Sequence, residues 1–390
     1  MQFSKYLPAL FFSLTCSIAS AQNSWTKKAD FPGTLRFGAV GFTIGKKAYV
    51  GTGKNTSIGY FKDFWEYDPA NNTWTRKADF AGVARLNAVG FSIGSKGYIG
   101  TGASSIFLKD FWEYDPANDT WTRKADFGGS GRYGAFGFSA GGKGYIGTGT
   151  EGSTTKDFWE YDPVNNTWIR KADFAGTKRV ASTGFAIGNM GYVGAGYEPV
   201  QKNDFWQYNP KTDTWSQMSS LGGPGGWGSV SFVVGKKGYI KSSAGSQLYF
   251  EEYDPSSAVW IKKDSLPEKG FTESVGFSLS GKGYIVTGST ISNHLWEYSP
   301  SKIRDSAFTD KTLIIYPNPF FSKATIQAKE DFNNATLSIY NSSGFLVSLI
   351  KSITGKTITL NRKDFKRGLY LFRITEADKL IATGRFTIID

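Results

Sequence analysis

Arginines recur at intervals of 47 to 49 positions in the first half of the chain, and their chemistry suits ligand binding. They are Arg36, Arg85, Arg132 and Arg179. Trp227 and Glu273 lie beside the matching positions of two later repeats. A guanidinium offers a planar fork of donors that pairs with a carboxylate or a sulfate through two hydrogen bonds. This set therefore predicts a site for an anionic ligand, with an aromatic ring and a carboxylate on the remaining arc.

The arginines belong to a longer repeat. The stretch from Lys62 to Phe80 recurs from Lys109 to Phe127 with one change, and six units can be counted, the last two degenerate. Each unit holds four short runs of aromatic and β-branched residues, bounded by Gly, Pro, Asn and Asp, which is typical of antiparallel strands. Four strands in a period of 40 to 50 residues indicate a propeller blade. Residues 22–300 are therefore predicted to form an all-β, six-bladed propeller.

The ends of the repeat array predict how the propeller closes. The segment from Ser24 to Phe31 matches a fourth strand with no blade before it, and the segment from Trp296 to Tyr298 matches a third strand with no fourth after it. We expect the N-terminal strand to complete the sixth blade, because this removes two open sheet edges.

The repeat units resemble kelch repeats. The kelch pattern places an Arg before the first strand, a Tyr on the second, Tyr-Asp-Pro at the end of the third and a Trp at the start of the fourth. This chain has Arg36, Tyr49, Tyr67-Asp68-Pro69 and Trp74 there, although Thr52 separates the two glycines that are adjacent in the family. The resemblance implies a kelch-type propeller, and some kelch proteins bind acidic peptides through arginines at this kind of position.

The loops between second and third strands vary among the units, while the turns on the opposite face stay nearly constant. Variable loops on a rigid scaffold usually carry binding specificity. We expect this face to recognise an anionic glycan or an acidic protein without catalysis. The alternative is that each repeated Arg pairs with a carboxylate or carbonyl group of a neighbouring blade, which would leave only the variable loops for partners.

The residue types bear on two enzymatic interpretations. Kelch-like copper radical oxidases need a cysteine-linked tyrosine and two histidines, whereas this chain has only Cys16 and His294. We therefore expect neither a metal site nor a cofactor. A sugar-acid epimerase or hydrolase with Glu273 as acid/base, and a purely structural surface component, stay open as alternatives.

The N-terminus indicates export. Residues 1–21 contain a short apolar run followed by Ala19 and Ala21, the spacing that signal peptidase cleaves. No segment has the roughly eighteen apolar residues of a membrane span, so we expect no integral membrane segment. On an exported protein, the net charge of +12 favours anionic glycans, lipopolysaccharide or acidic proteins over nucleic acid as partners.

The last part of the chain predicts a second domain. Residues 301–311 are polar and indicate a linker, and residues 312–390 contain short strands with the rhythm of an immunoglobulin-like β-sandwich. The segment Pro317-Asn318-Pro319, then Gly344, Gly368 and Tyr370, resembles the type A sorting domain of the type IX (Por) secretion system. The resemblance implies contact with that machinery and delivery to the cell surface or the medium. The alternative is a plain immunoglobulin-like module that binds carbohydrate or protein.

Overall fold

The computed structural model describes residues 24–244, 249–288, 292–300, 313–341, 346–377 and 379–389. The predicted signal peptide (1–21), the predicted linker (301–311) and Gly344 lie outside these ranges. Within them the chain is almost entirely β-structure.

The strands follow the sequence repeats. The chain begins with β1 (Ser24–Lys27). Blade 1 contains β2 (Val40–Ile44), β3 (Lys47–Gly51), the short ribbon β4 (Lys54–Asn55) and β5 (Gly59–Tyr60), then β6 (Phe64–Asp68) and β7 (Thr73–Lys77). Blade 2 contains β8 (Val89–Ile93), β9 (Lys96–Gly100), β10 (Phe111–Asp115) and β11 (Thr120–Arg123). Blade 3 contains β12 (Phe136–Ala140), β13 (Lys143–Gly147), β14 (Phe158–Asp162) and β15 (Thr167–Lys171).

The second half of the array repeats this order. Blade 4 contains β16 (Thr183–Ile187), β17 (Met190–Gly194), β18 (Phe205–Asn209) and β19 (Thr214–Met218). Blade 5 contains β20 (Val230–Val234), β21 (Lys237–Lys241), β22 (Phe250–Asp254) and β23 (Val259–Lys262). Blade 6 contains β24 (Val275–Leu279), β25 (Lys282–Val286) and β26 (Leu295–Ser299).

The six sheets form a closed ring. Each has four antiparallel strands, and the first strands β2, β8, β12, β16, β20 and β24 contact one another in that order and back to β2. The fourth strand of blade 6 is β1, which pairs with β26 in a register that sets Trp25 opposite Tyr298. The predicted fold class is confirmed: the chain is an all-β protein with a propeller and a C-terminal β domain.

The repeated aromatic residues hold adjacent blades together. Phe64 of blade 1 is fully buried and meets the rings of Tyr114 and Trp121 from blade 2 at centroid distances of 4.9 and 5.0 Å. Edge-on contacts of this kind contribute about 0.5–1.5 kcal/mol beyond burial. Because the same contacts recur from blade to blade, the repeated aromatics are mainly structural.

Small residues on the second strands let the blades approach closely. A Cβ added at Gly191 would overlap the ring of Phe138 in the preceding blade. We expect Gly191→Ala to lower the free energy of unfolding by about 1–3 kcal/mol, because the core is already filled. Denaturant titration measures the change, and Phe138→Leu in the same background should recover part of it. An additive loss in the double variant would contradict this packing account.

The C-terminal domain contains β27 (Leu313–Tyr316), β28 (Lys323–Asn341), β29 (Leu346–Asn361), a 3-10 helix (Arg362–Asp364), β30 (Gly368–Glu376) and β31 (Lys379–Ile388). The long strand β28 pairs with β27, β29 and β30, so the strands form one connected five-stranded sheet. Register shifts along β28 allow such a sheet to bend, and residues from both of its halves share one buried core.

Candidate functional site

The four repeated arginines are buried and bound to protein groups. Arg85 has no exposed surface, and its two terminal nitrogens donate to the carboxylate of Asp110 at 2.7 and 2.6 Å. Its other donors reach the carbonyl oxygens of Thr101 and Val83, and its guanidinium lies over the ring of Phe80. The equivalent carboxylate partners of Arg36, Arg132 and Arg179 are Asp63, Asp157 and Asp204.

The aspartates are held ionised by this arrangement. Burial disfavours the charge on Asp110, but the hydrogen bonds and positive charge of Arg85 outweigh it and keep the pKa of Asp110 below its usual value. The indole of Trp112 donates to the same carboxylate at 2.7 Å. Each Arg thus ties the segment before a first strand to the segment before the third strand of the same blade.

This geometry differs from the expectation of four guanidiniums open to a ligand. Their exposed fractions are 0–1 %, and their partners belong to their own blade instead of a neighbouring one. The physical reason is the aspartate before each third strand, which supplies a buried counter-charge that a free guanidinium at this depth would lack.

The mouth of the central channel is built by a different set of residues. Six positions, one per blade, have left-handed φ angles between 48° and 70°. A closed cycle of backbone N–H to carbonyl hydrogen bonds of 2.7–3.3 Å joins them. They are Gly38, Asn87, Gly134, Ala181, Gly228 and Glu273. This ring surrounds a cavity of about 150 Å³.

Trp227 lies at this mouth. Its indole nitrogen donates to a carboxylate oxygen of Glu273 in blade 6, while its ring lies 6.5 Å from that of Tyr133 before blade 3 and 6.4 Å from that of Tyr197 in blade 4. Phe107 of blade 2 continues the series, 5.7 Å from Tyr133. We call these four rings the aromatic platform. The hydrogen bond between Trp227 and Glu273 brings together the two other residues predicted for the site.

A groove of about 1250 Å³ lies between blades 3 and 4. Its lining includes Arg132 and Glu198, the chain neighbours of the platform residues Tyr133 and Tyr197. Six basic and four acidic side chains line it, and two of the acidic ones, Asp157 and Asp173, already pair with arginines. Within the described ranges, no carboxylate lies within ion-pair distance of its four lysines. They are Lys109, Lys156, Lys178 and Lys202. We call this the lysine groove, and its excess positive charge suits an anion.

The sequence carried signals for some of these residues. Asp63, Asp110, Asp157 and Asp204 recur with the arginines, and where the Arg is replaced in blades 5 and 6, the Asp is replaced by Tyr249 and His294. The loss of both the Arg and the Asp in the same blades indicates that the two residues pair with each other. No comparable signal marks the lysine groove or Tyr133, because the groove lies between two blades and the platform spans several.

The sorting-motif residues hold the start of the C-terminal domain against its last strand. The side chain of Asn318 donates to the carbonyl of Arg385 at 3.2 Å and accepts from the amide of Thr387 at 2.9 Å. The hydroxyl of Tyr370 donates to the carbonyl of Lys366, and its ring stacks on Phe386. Pro317 and Pro319 flank Asn318, and Gly368 begins β30.

A family model for the secretion system C-terminal sorting domain matches residues 314–389. This segment is a sorting domain. The protein is therefore exported by type IX secretion to the cell surface or the extracellular space. Among the described residues, no helix has the length and apolar character to cross a membrane.

The solved structure of YjhT resembles this chain, with a TM-score of 0.55 and 16% sequence identity, over 71% of this chain and 95% of that one. At this identity the likeness shows the fold alone. No curated protein matches the chain.

Proposed function

We propose that the protein is an exported, non-catalytic binding protein whose kelch-type propeller recognises an anionic glycan. The observation that carries the proposal is the position of the lysine groove beside the aromatic platform. An anionic glycan is one of the ligands expected from the sequence. We assign its binding to the lysines and aromatic rings instead of the buried arginines.

The aromatic platform suits the flat, C–H-bearing side of a sugar. An aromatic ring has a negative face, which attracts the weakly positive C–H groups of a pyranose, and the area that it buries adds hydrophobic stabilisation. Phe107 and Tyr197 are 43% and 38% exposed. Large rings are normally covered, so exposed ones grouped on one face indicate a binding surface.

The lysine groove supplies the preference for acidic groups. Lys109, Lys156 and Lys178 are exposed and Lys202 is half-buried, so their ammonium groups can approach a carboxylate or sulfate without the cost of breaking internal ion pairs. Charge-assisted hydrogen bonds of this kind contribute more than neutral ones. Because the contacts are partly solvated, we expect binding to weaken as salt increases.

The proposal is tested with oligosaccharides of sulfated and uronic-acid classes by isothermal titration calorimetry. We expect Lys156→Glu with Lys178→Glu to weaken binding at least tenfold, because two attractive charges become repulsive. The matched control is Lys46→Glu with Lys236→Glu, which changes net charge equally in turns on the opposite face. Equal losses in both double variants would reduce the effect to overall charge and contradict a site in the groove.

The sugar-acid epimerase or hydrolase alternative has its own measurement. Turnover of a uronic or sialic acid that Glu273→Gln abolishes would replace binding with catalysis as the function. We expect no turnover, since Glu273 is the single titratable residue among the described ones that line the cavity, with no second acid or base beside it.

A further inference from the structure

The sorting domain displays an exposed phenylalanine beside a buried one. Phe320 is 1% exposed and packs into the core of the domain, whereas the next residue, Phe321, is 69% exposed. Of the described residues in this domain, Phe321 is the most exposed large apolar one. A single exposed apolar side chain needs no explanation by itself, so its surroundings decide whether it marks a contact surface.

The backbone on both sides of Phe321 is fixed by hydrogen bonds. The amide and the carbonyl of Phe320 each form a hydrogen bond of 3.0 Å with the end of the last strand, and the carbonyl of Ser322 accepts from the amide of Arg362 at 2.7 Å. The ring of Phe321 is therefore presented from a rigid position. A partner that covers it loses little affinity to the ordering of this segment.

A basic segment lies next to Phe321. The first residue of β28, Lys323, is paired with Asn361 at the end of β29, and the chain continues from there into the 3-10 helix. Residues 320–323 and 361–367 together hold five basic residues and one acidic residue, Asp364. The side chains of Lys323, Lys363 and Lys366 are exposed. An exposed aromatic ring thus lies within a positively charged surface.

Buried rings hold these two segments against each other. The ring of Phe386 lies 5.7 Å from that of Phe320 and 5.7 Å from that of Phe365. Tyr370 stacks on Phe386, and its hydroxyl donates to the carbonyl of Lys366. The basic segment and the Phe320 segment therefore rest on one aromatic cluster, so the relative position of their exposed side chains is set by the fold.

We propose that the sorting domain docks on the type IX secretion machinery through Phe321, Lys323, Lys363 and Lys366, which we call the docking surface. Its partner site is an apolar pocket for the ring, bordered by carboxylates. A buried aromatic anchor commonly supplies much of the affinity of an interface, and complementary charges around it accelerate and orient the encounter. The inference rests on the sorting-domain match to residues 314–389 and not on the glycan proposal.

Two other exposed apolar pairs of this domain lack this combination. Ile314 and Tyr316 lie on β27, and Val347 and Leu349 lie on β29. Residues 313–316 and 346–349 contain no charged side chain, so neither pair offers its own electrostatic selection of a partner. They provide matched positions at which the apolar contribution alone is tested.

Phe321→Ser should lower the amount of protein at the cell surface and in the medium about fivefold, with matching accumulation in the periplasm, because the anchor is lost. Leu349→Ser, which removes a side chain that is 46% exposed, should leave export unchanged. Phe321→Leu should restore most of the export, since a large apolar side chain again fills the pocket. Cell fractionation with immunoblotting in the native bacterium measures the distribution, and urea titration of the purified mature chain measures stability.

Charge reversal tests the basic part of the docking surface. Lys363→Glu with Lys366→Glu should lower export about threefold, because attraction to the carboxylates becomes repulsion. The matched control is Lys329→Glu with Lys356→Glu. It changes net charge equally at exposed positions, beyond the opposite end of the paired residues that begin with Lys323 and Asn361.

The outcomes decide the proposal in each case. Native export of both Phe321→Ser and the Lys363/Lys366 variant would overturn it, and so would an equal fall in export in the matched controls. If Phe321→Ser lowers stability, the exposed lysines decide alone. Normal export combined with weaker self-association in gel filtration would assign the surface to a second copy of the chain and overturn the proposal as well. Calorimetry with glycans tests the proposed function separately.

Discussion

Arg85→Met should lower the free energy of unfolding by about 3–5 kcal/mol, one of the largest effects expected from a single substitution in this chain. The guanidinium is fully buried and makes two hydrogen bonds to Asp110. Removing one partner of a buried ion pair leaves the other charge poorly compensated, and that penalty exceeds the loss of the pair itself. Urea titration monitored by tryptophan fluorescence measures the change.

The same repeat provides a matched control. Arg123 pairs with Asp126 at 2.9 Å, but the side chain of Arg123 is 59% exposed. Because exposed pairs are screened by water, Arg123→Met should cost less than about 1 kcal/mol. In the Arg85→Met background, Asp110→Leu should recover stability since it removes the stranded charge. Equal effects of Arg85→Met and Arg123→Met would refute the structural role assigned to the buried arginines.

The ion pair also determines how this stability depends on pH. The pKa of Asp110 is lowered in the folded protein relative to its unfolded value of about 3.9. Its contribution is therefore complete above that unfolded value and is lost as the pH falls through the lower, folded pKa. Arg85→Met should flatten this acid limb of the stability curve.

Deletion of residues 313–390 should stop delivery to the cell surface and leave the protein in the periplasm. The propeller closes between β1 and β26, before the sorting domain begins, so the truncated chain should still fold. Cell fractionation with immunoblotting in the native bacterium measures the distribution. Undiminished surface or medium protein would contradict a sorting role for this domain.

Point substitutions refine the deletion experiment. Asn318→Ala removes both side-chain hydrogen bonds to the last strand and should reduce export partially. Lys356→Ala, which changes an exposed residue of β29, should leave export unchanged. Equal export of the two variants would show that the Asn318 contacts are not needed for sorting.

Much of the fold follows from local sequence patterns. Trp65, Trp112, Trp159 and Trp206 repeat every 47 residues, and the period with its turn residues predicted six four-stranded sheets. The C-terminal pattern around Asn318 predicted the sorting domain in the same way. Both were predictable because the residues that define them lie close together in the sequence and follow a recognisable pattern.

The candidate site was harder to predict because it depends on side-chain direction and ring closure. The side chain of an Arg before a first strand can point toward the channel or beneath the loop. For Arg85 the ion pair with Asp110 determines its direction. Trp227 and Tyr133 precede blades 5 and 3, yet their rings meet at the mouth. Contacts between blades that are not adjacent arise only when the ring has closed.

We infer that the buried arginines stabilise the individual blades and that the ligand binds at the lysine groove and the aromatic platform instead. The most direct measurement is the affinity of folded Arg85→Met for a chondroitin oligosaccharide, beside that of Lys156→Glu with Lys178→Glu. We expect the affinity of Arg85→Met to stay within about twofold of the native protein's and that of the lysine variant to fall at least tenfold. A tenfold loss of affinity in Arg85→Met, with the lysine variant unchanged, would instead place the ligand at the arginines.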